Sequence, residues 1–449
     1  MAKDKHEIRD PIHVFVRLDN DERKVLNSRP FQRLRHIHQL GPTYLVYPGA
    51  THNRFEHSLG VMELASRVFD IVSAQKNVTD EIRNVLEQLQ LGNEDKIRYW
   101  CRVLRMAALC HDIGHLPFSH AAEKELLPED WDHERLTIEI IVGDELKQIW
   151  KEMEPPLNPE DIVKLAVGPG KAKDMSFSRW EEILSEIIAG DAFGVDRMDY
   201  LLRDSHHAGV AYGRFDHYRL VDTLRILPSS PSGEVEETIK PALGVEEGGI
   251  QSAEALMWAR YLMYSQVYFH PVRRIYDIHL KDFLKEWLPD GKFSTDIDKH
   301  TAMTDAEVTT ALLSAAFDNT KLGHKHARRL MRREHFKLLY RRNPSDIKIN
   351  PESGKAIWKA AEEKFGADCV RYDSYSQKGG APDFPVKMLD GRIESSLSIS
   401  DALQRLPVVA LNYVFVDRGK YDEAEKWLER NRETIIKQPG EEAGDGRTE

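Results

Sequence analysis

The chain has 449 residues and a formal net charge of −11 at pH 7, and 41% of its residues are hydrophobic and 31% charged. This length accommodates one large domain and a smaller lobe, and the composition is ordinary for a globular protein. The acidic balance disfavours an open, nonspecific nucleic-acid-binding surface, because such surfaces are usually basic. Three cysteines without a CxxC pair predict neither a disulfide framework nor a thiolate zinc site.

The sequence predicts a cytoplasmic protein with no membrane partner. Its longest apolar stretches are far shorter than the ~20 residues that a membrane-spanning helix needs. The first residues of the chain lack the apolar core of a signal peptide.

Most of residues 15–290 carries apolar side chains at three- and four-residue spacing, which predicts a mainly α-helical domain. A proline disfavours helix at the residue before it, so a helix boundary is expected at residues 27–30. Residues 44–49 are expected to form a short extended segment that ends in a turn. A Pro-, Ser- and Gly-rich stretch separates two β-like runs, 223–227 and 235–243, which predicts a hairpin.

A long helix is predicted to begin near Ser252, because serine is a common N-cap. Arg260, Tyr264 and Tyr268 follow at four-residue spacing and therefore fall on one face of that helix. Aromatic residues on such a face are usually core residues, so the spacing alone assigns them no ligand.

From about residue 295 the pattern becomes mixed, and residues 408–416 are β-branched and aromatic, as in a buried strand. The predicted fold is therefore a mainly α helical bundle over residues 1–295 and a small C-terminal α+β lobe over residues 296–432. The polar tail, residues 433–449, is predicted to be disordered.

The sequence His-Asp-Ile-Gly-His at residues 111–115 follows an apolar run and places an imidazole beside a carboxylate. Neighbouring residues of a helix point about 100° apart, so both can serve one ion only at a helix end, and Gly114 supplies the break. Nitrogen and oxygen donors together suit Mn, Fe, Ni or Mg better than a structural zinc site. The pair therefore predicts a divalent-metal site.

Pro117 is expected to begin a new helical turn, which places His120 and Glu123 one turn apart on the same face. An acidic partner raises the pKa of a histidine and favours the protonated form that donates to a leaving oxygen. His120 and Glu123 are therefore a candidate acid and its partner.

Asp196, Tyr200, Asp204 and His207 recur at spacings of four, four and three residues and share one helix face. Eight residues of helix rise about 12 Å, which is long enough to contact an extended ligand. The face is therefore predicted to bind a substrate along its length. The alternative is a helix that is salt-bridged to its neighbours.

With His57, His111, Asp112 and Asp196 in this order, the chain resembles the HD-domain phosphohydrolases, and more closely their deoxynucleoside triphosphate triphosphohydrolase (dNTPase) branch. The resemblance implies an HD-domain, phosphodiesterase-like helical bundle. It implies that these four residues bind a divalent metal, Mn, Fe, Ni or Mg. It also implies hydrolysis of a deoxynucleoside triphosphate (dNTP) to deoxynucleoside and inorganic triphosphate.

The resemblance further implies which residues contact the substrate. Three histidines would contact the phosphates: His115, His120 and His133. His120 would be the general acid. Glu123 stands where the family usually has Asp. Phosphate contacts are also implied for Arg54, Arg197 and Arg260, ribose contacts for Tyr200 and Asp204, and contacts around the sugar and base for Gln39, Leu40 and Tyr268.

Two other interpretations stay open. Another HD phosphohydrolase would act on cyclic nucleotides, guanosine tetraphosphate or 5′-monophosphates, and product analysis separates it from a dNTPase. The second is a protein that binds nucleotides or nucleic acid without catalysis. The presence of all four predicted metal ligands argues against it.

Residues 325–342 hold eight Lys or Arg residues in a net acidic chain. Such a stretch repels itself unless nucleotide phosphates or acidic residues of another subunit neutralise it. Because related enzymes assemble, we expect a homo-oligomer, dimer to tetramer, and favour it over a nucleic-acid groove. Gln32 and Arg35 match family positions for an activating nucleotide, but Asn27 replaces a guanine-reading Asp, so activation is expected to be less selective for GTP or absent.

Overall fold

A computed structural model of the protein describes residues 5–79, 82–83, 93–119, 123–229, 240–376 and 381–437. His120 and the predicted tail beyond Lys437 lie outside these described residues. Helices dominate the described part of the chain, which confirms the predicted mainly α fold. No helix in that part is both long and apolar enough to cross a bilayer.

The α-helices are numbered in chain order over the described residues. They are α1 (Asn20–Leu26), α2 (Arg29–Arg33), α3 (Arg54–Val72), α4 (Glu94–Cys110), α5 (Glu123–Leu126), α6 (His133–Val142), α7 (Asp144–Glu152), α8 (Pro159–Val167), α9 (Arg179–Ala189), α10 (Val195–Ala208), α11 (His217–Thr223), α12 (Ile250–Met263), α13 (Pro271–Trp287), α14 (Ile297–Ala302), α15 (Asp305–Phe317), α16 (His324–Met331), α17 (Pro344–Ile349), α18 (Ser353–Phe365), α19 (Ser396–Ile399), α20 (Asp401–Gln404) and α21 (Tyr421–Lys437).

The strands of the described residues form separate small sheets. They are β1 (Lys5–Asp10), β2 (Val14–Asp19), β3 (Leu224–Pro228), β4 (Pro241–Glu246), β5 (Lys337–Arg341), β6 (Val370–Ser376), β7 (Pro385–Lys387), β8 (Ile393–Ser395) and β9 (Ala410–Val416). The sheet orders are β1-β2, β3-β4-β7-β8 and β5-β9-β6. The β4–β7 pair is parallel and the other named pairs are antiparallel.

The chain divides into two compact units, and each is assembled from separate segments. Unit 1 comprises Met1–Met263, Leu288–Thr310 and Gly379–Pro407, and unit 2 comprises Tyr264–Trp287, Ala311–Lys378 and Val408–Glu449. The predicted division used one boundary at residue 295, whereas the chain passes between the units several times. The sequence also predicts that residues 1–295 are catalytic and that residues 296–432 serve oligomerisation or regulation, and these roles stay predictions.

Helix α3 lies at the centre of unit 1. Asn53 and Glu56 form a capping box at its start. Its apolar side chains, such as Met62 and Phe69, are fully buried, and the helix packs against α4, α9 and α10. Helix α4 ends at Cys110, so the His111–Asp112 pair stands at a helix C-terminus, as predicted.

Unit 1 also contains an antiparallel pair, β3–β4, at the predicted hairpin, with the second strand at Pro241–Glu246, and residues 235–239 of the second predicted run lie outside the described residues. The pair belongs to a larger sheet, because β7 adds to β4 in parallel and β8 adds to β7. The predicted helix boundary at residues 27–30 is confirmed, since α1 ends at Leu26 and Ser28 is the N-cap of α2.

Unit 2 holds the small α+β lobe. The predicted strand at 408–416 is β9, the central strand of the sheet β5-β9-β6. Helices α18 and α21 contribute Ile357 and Leu428 to the core behind it. Helix α21 continues to Lys437, so residues 433–437, which were predicted to be disordered, are helical, because Ile435 and Ile436 are buried in this core.

Three local predictions need correction. The helix predicted to start near Ser252 is present as α12, but it begins at Ile250, so Ser252 lies inside its first turn and does not cap it. Residues 44–45 end a 3₁₀-helix, Gly41–Leu45, and residues 46–49 form a turn, so the extended segment predicted before that turn is wrong. The predicted α-helix does not continue through Tyr264 and Tyr268, because α12 ends at Met263 and a π-helical turn, Tyr264–Tyr268, follows it.

Candidate metal centre

The end of helix α4 presents His111 in one tautomer. Its Nδ1 donates to the carbonyl oxygen of Ala108 at 2.8 Å, which leaves a lone pair on Nε2. That Nε2 atom is buried and has no hydrogen-bond partner among the described residues. The next glycine along, Gly114, has no room for a side chain, because a Cβ would lie 2.4 Å from the carbonyl oxygen of His133. Gly114 is therefore needed for close packing of α6 against this segment.

Two carboxylates and a second imidazole converge on the Nε2 atom of His111. Asp196 Oδ1 lies 3.5 Å from it and 3.0 Å from Nε2 of His57. Asp112 Oδ1 lies 3.5 Å from Nε2 of His111, and Asp112 Oδ2 lies 3.7 Å from Nε2 of His57. The ligand atoms of His57, His111 and Asp196 all lie within 4.8 Å of one another. Two neutral imidazoles and two carboxylates form a donor set that fits a six-coordinate divalent ion with open positions.

Asp199 fixes the orientation of His57 from behind the cluster. Its Oδ2 accepts from Nδ1 of His57 at 2.8 Å, so Nε2 of His57 faces the other ligands. Its other oxygen accepts from Nε2 of His13 at 2.7 Å, and Arg203 donates to both oxygens. The fully buried Arg203 also donates to Asp10 at 2.8 Å.

The electrostatic field in this cluster favours a cation. Burial opposes a charged His57, but hydrogen bonds to Asp196 and Asp199 outweigh burial and raise its pKa to about 10. Burial likewise opposes the charge of Asp196, and His111 and His57 lower its pKa. A site that attracts a proton this strongly also attracts a metal ion, because both compete for the same lone pairs.

Asp112 faces a second group of side chains on its other side. Nε2 of His115 lies 3.1 Å from Asp112 Oδ1, and Arg54 Nη1 donates to Asp112 Oδ2. Burial would raise the pKa of Asp112, but Arg54, His111 and His115 hold it well below the usual range. Arg54 is held in turn by a 3.1 Å hydrogen bond from its Nε to the hydroxyl of Ser119.

His115 and His133 stack on each other, with ring centroids 4.0 Å apart. Nδ1 of His133 donates to Glu123 at 2.6 Å. Burial lowers the pKa of His133, but the Glu123 carboxylate outweighs it and raises the pKa. Burial and the charges of Arg54 and His133 hold the pKa of His115 well below normal. The stacked pair therefore consists of a neutral ring and a ring that favours protonation.

The segment that leads to Glu123 differs from the predicted helical turn, and the predicted pairing of Glu123 with His120 stays a prediction. Pro117 does not begin a helical turn, because Phe118 and Ser119 have φ angles of 56° and 58°. Glu123 begins the short helix α5 and pairs with His133, which follows it by one loop. His120, the predicted partner of Glu123, lies outside the described residues.

Helix α10 carries the predicted polar face, and its residues have different surroundings. Asp196 lies in the cluster described above, whereas Asp204 is buried and accepts from Nε2 of His52 at 2.7 Å. The ring of His52 stacks on His207 at 4.5 Å. Tyr200 lies between Asp196 and Asp204 on helix α10 and is half-buried.

Arg197 and Arg260 meet at Asp191. Arg197 donates to the carbonyl oxygens of Gly190 and Asp191, and its Nη2 lies 3.2 Å from Asp191 Oδ1. Nη1 of Arg260 lies 3.3 Å from the same carboxylate oxygen. These two residues, predicted to contact phosphates, are therefore brought together beside the Asp196 end of α10.

The remaining predicted substrate residues lie in different parts of the fold. Gln39 and Leu40 precede the 3₁₀-helix of unit 1, and Leu40 is buried. Oε1 of Gln39 is buried and accepts no hydrogen bond within the described part of the chain. Tyr268 belongs to unit 2, where its ring lies edge-on to Tyr264 at 5.0 Å.

Comparison with known proteins identifies the family. The HD domain model matches residues 54–203, which include all four predicted metal ligands, and the HD associated region model matches residues 215–365. A crystal structure of a hypothetical protein from Aquifex aeolicus superposes with a TM-score of 0.75 at 32% identity, covering 94% of this chain and 100% of that one. The chain belongs to the HD-domain phosphohydrolase family. The predicted HD-domain fold and family are confirmed.

Curated relatives of this HD-domain chain fall into two groups. The uncharacterized protein MJ1154 of Methanocaldococcus jannaschii is 37% identical over 61% of this chain and 48% of that protein. The deoxynucleoside triphosphate triphosphohydrolase SAMHD1 of Mus musculus is 29% identical over 69% of this chain and 48% of that protein. The chain spans about half the length of the curated relatives it matches.

Sequence reasoning missed the residues that support the cluster. Asp199 was not identified, although it follows Asp196 by one helical turn and precedes Arg203 by four residues, a spacing typical of a helical ion pair. His13 and Asp10 lie more than 180 positions away in sequence, so no local pattern links them to Asp199 and Arg203.

Proposed function

We propose that this protein is a divalent-metal-dependent dNTPase that hydrolyses a dNTP to deoxynucleoside and inorganic triphosphate. The observation that carries the proposal is the position of Asp112. Its carboxylate faces His57 and His111 on one side, and Arg54 and His115 on the other. A phosphate beside Asp112 would lie next to both the metal ligands and two nitrogen donors.

His57, His111, Asp112 and Asp196 are the residues that would hold the metal. A divalent ion there would polarise a phosphoryl oxygen and lower the pKa of water. The protein itself would orient the two imidazoles, through Asp199 for His57 and the Ala108 carbonyl for His111. These outer contacts keep both Nε2 lone pairs directed at one point.

His133 is our candidate donor of a proton to the departing 5′-oxygen. Its Nδ1 is held by Glu123, so Nε2 is the atom that a substrate oxygen could meet. The acidic partner favours the protonated ring, which is the form that a general acid needs. The predicted role of His120 as the acid stays a prediction, and His115 and Arg54 would meet charge on the phosphates.

The substrate would extend from Asp112 along helix α10. Arg197 and Arg260 would exchange the Asp191 carboxylate for substrate phosphates, since guanidinium groups bind both kinds of anion. Tyr200 and Asp204 lie farther along the same helix and would meet the ribose. Further support comes from SAMHD1, a relative that is named for hydrolysis of deoxynucleoside triphosphates.

A product screen tests this function. The four dNTPs, the four NTPs, cyclic nucleotides, guanosine tetraphosphate and 5′-monophosphates are each incubated with the protein and Mn²⁺ or Mg²⁺, and nucleosides and phosphates are separated by chromatography. We expect deoxynucleoside and intact triphosphate in equal amounts. Release of pyrophosphate or orthophosphate, or turnover only of cyclic nucleotides, guanosine tetraphosphate or 5′-monophosphates, would contradict the proposed reaction. No turnover of any of these would favour a silent nucleotide-binding protein.

We also propose that the protein forms a homo-oligomer that responds to nucleotides. Within unit 2 the basic stretch is partly neutralised by its own chain, because Glu334 pairs with Arg328 and Arg332, and Asp417 lies 3.8 Å from Arg329. Light scattering with and without nucleotides, on wild type and on Arg332→Glu/Arg333→Glu, tests the idea. A wild type that stays monomeric and fully active refutes it, and salt-sensitive binding of single-stranded nucleic acid favours a groove.

A further inference from the structure

Unit 2 contains a second cluster of metal-ligating side chains, separate from the candidate metal centre. Helix α13 contributes His279 and Asp282, and helix α16 contributes His326. One ligand atom from each of the three lies within 4.8 Å of the other two. We propose that His279, Asp282 and His326 form a second divalent-metal site that takes an ion of the Zn²⁺ class.

Three ligand atoms of this cluster make no hydrogen bond in the part of the chain that the structure describes. They are Nδ1 of His279, Oδ2 of Asp282 and Nδ1 of His326, and each is buried. Unsatisfied buried polar atoms are costly, so such atoms normally find a partner. A metal ion would satisfy all three at once.

The tautomer of His326 is set as a metal ligand requires. Its Nε2 lies 3.3 Å from Oε1 of Glu286, which follows Asp282 by one turn on α13. With the proton held on Nε2 by this carboxylate, Nδ1 presents its lone pair, and Nδ1 lies 3.6 Å from Asp282 Oδ2. A carboxylate behind a ligating histidine is the usual arrangement at metal sites.

His279 would present its Nδ1 atom to the ion, since that atom is buried and makes no hydrogen bond among the described residues. Its Nε2 lies 3.4 Å from the amide nitrogen of Phe336, which is long for a hydrogen bond. If Nδ1 of His279 binds the ion, the ring proton is on Nε2. Nε2 then no longer accepts from the amide of Phe336, and this long contact must lengthen further.

The packing of the two helices holds the donors close. Gly323, the N-cap of α16, has a φ of 73°, and a Cβ on it would lie 2.5 Å from the ring of Phe283. Helix α16 therefore starts in close contact with the residue after Asp282. Two guanidinium groups compete with an ion for this site, because Nε of Arg371 lies 3.6 Å from Asp282 Oδ2 and the charge of Arg329 acts on His279 and Asp282.

Two nitrogen ligands and one oxygen ligand favour a particular class of ion. Two imidazoles and a single carboxylate match a four-coordinate Zn²⁺ site that keeps one water, whereas the candidate metal centre offers a second carboxylate and suits a six-coordinate ion. Such a site would join two helices of the lobe and would stabilise it, because binding to the folded state adds to its stability.

Metal content of the full-length protein tests the proposal. Wild type, Asp282→Asn and His326→Gln are stripped with a chelator, equilibrated with Zn²⁺, desalted and analysed for zinc. We expect the two variants to hold one zinc per chain fewer than wild type, and Glu286→Gln to bind that zinc about 10- to 100-fold more weakly. His335→Gln is the control, since His335 is a buried histidine of the same lobe whose Nδ1 bonds to the Phe336 carbonyl.

The same samples give a second readout that is independent of the candidate metal centre. In a His111→Ala background, Zn²⁺ is expected to raise the Tm, and Co²⁺ to give the visible absorption of a tetrahedral site. Both effects should be lost in Asp282→Asn while circular dichroism stays unchanged. Equal zinc content in wild type and both lobe variants, or a His111→Ala protein whose Tm and spectrum ignore added metal, would overturn the proposal.

Discussion

Asp199 accepts a hydrogen bond from Nδ1 of His57 at 2.8 Å and simultaneously pairs with Arg203, so one buried carboxylate joins the candidate metal centre to the charged core of unit 1. Gly60 makes this possible, because a Cβ there would lie 2.0 Å from Asp199 Oδ1. Orientation of a metal ligand and stability of the fold therefore depend on the same side chain.

The first prediction separates these two roles of Asp199. Asp199→Asn should weaken metal binding about 10- to 100-fold, because the amide no longer holds the Nδ1 proton of His57. It should also lower the free energy of unfolding by about 3 kcal/mol, since Arg203 loses a charged partner. Asp10→Asn is the matched control, because Asp10 pairs with Arg203 without touching His57. Equal metal affinity in the two variants, measured by titration calorimetry, would contradict the assigned role.

The second prediction concerns the helix-end pair. His111→Ala and Asp112→Ala should each abolish metal retention at the candidate metal centre and enzymatic turnover, because no other side chain replaces their donor atoms. The helical fold should persist in both. Elemental analysis with circular dichroism checks this, and normal turnover with wild-type metal content in either variant would remove the pair from the metal site.

The third prediction addresses Glu123. Glu123→Gln should lower kcat about 10- to 100-fold while metal content stays at the wild-type level, because His133 loses the partner that favours its protonated form. Glu125→Gln, at an exposed position of the same short helix, should behave as wild type. Steady-state kinetics beside metal analysis decides the matter. A Glu123→Gln enzyme with unchanged kcat would mean that His133 acts without Glu123.

The fourth prediction tests the sugar pocket implied by family resemblance. Tyr268→Ala should reduce the ratio of kcat/KM for a dNTP over the matching NTP by at least about tenfold, since the ring is expected to crowd a 2′-hydroxyl. Tyr264→Ala is the control, because both rings belong to the same π-helical turn. If this ratio of kcat/KM values is unchanged in Tyr268→Ala, Tyr268 does not contact the sugar and serves only in packing.

The fifth prediction is a pH dependence of stability. Burial raises the pKa of Glu186 to about 7, so this carboxyl opposes folding when it is charged. The pKa of Glu186 is higher in the folded state than in the unfolded state. Its contribution to the free energy of unfolding is therefore fully present below about pH 4.5 and is lost as the pH rises through about 7. Glu186→Gln should therefore raise the free energy of unfolding at pH 8 by about 2 kcal/mol and have little effect at pH 4.5.

Urea unfolding of Glu186→Gln at the two pH values measures this effect. Glu182→Gln, on the exposed side of the same helix, is the control and should show no such difference. A gain for Glu186→Gln that is equal at both pH values would show that the carboxyl stays protonated throughout.

The helical fold and the position of His111 and Asp112 at a helix end could be predicted from local sequence patterns. His111 and Asp112 end an apolar helix because the run before them is long enough to be buried and the next glycine has no room for a side chain. The strand β9 was predictable from its β-branched and aromatic residues. Each of these features depends on residues within one or two helical turns.

Features that depend on distant segments could not be predicted. The His13–Asp199 bond joins residues 186 positions apart, and no periodicity records it. The Glu123–His133 contact was not predicted for a related reason, since it depends on how the segment after Pro117 turns, and two positive φ angles break the expected helix.

After passing through unit 2, the chain returns to unit 1 and adds strand β7 to its sheet. Strand β7 completes that sheet beside β4, and the preceding Phe384 packs its ring 4.6 Å from Phe193, three residues before Asp196. A protein that stopped at residue 310 would lose this cover and expose a strand edge to other chains. A single truncation therefore cannot remove unit 2 and leave the sheet of unit 1 complete.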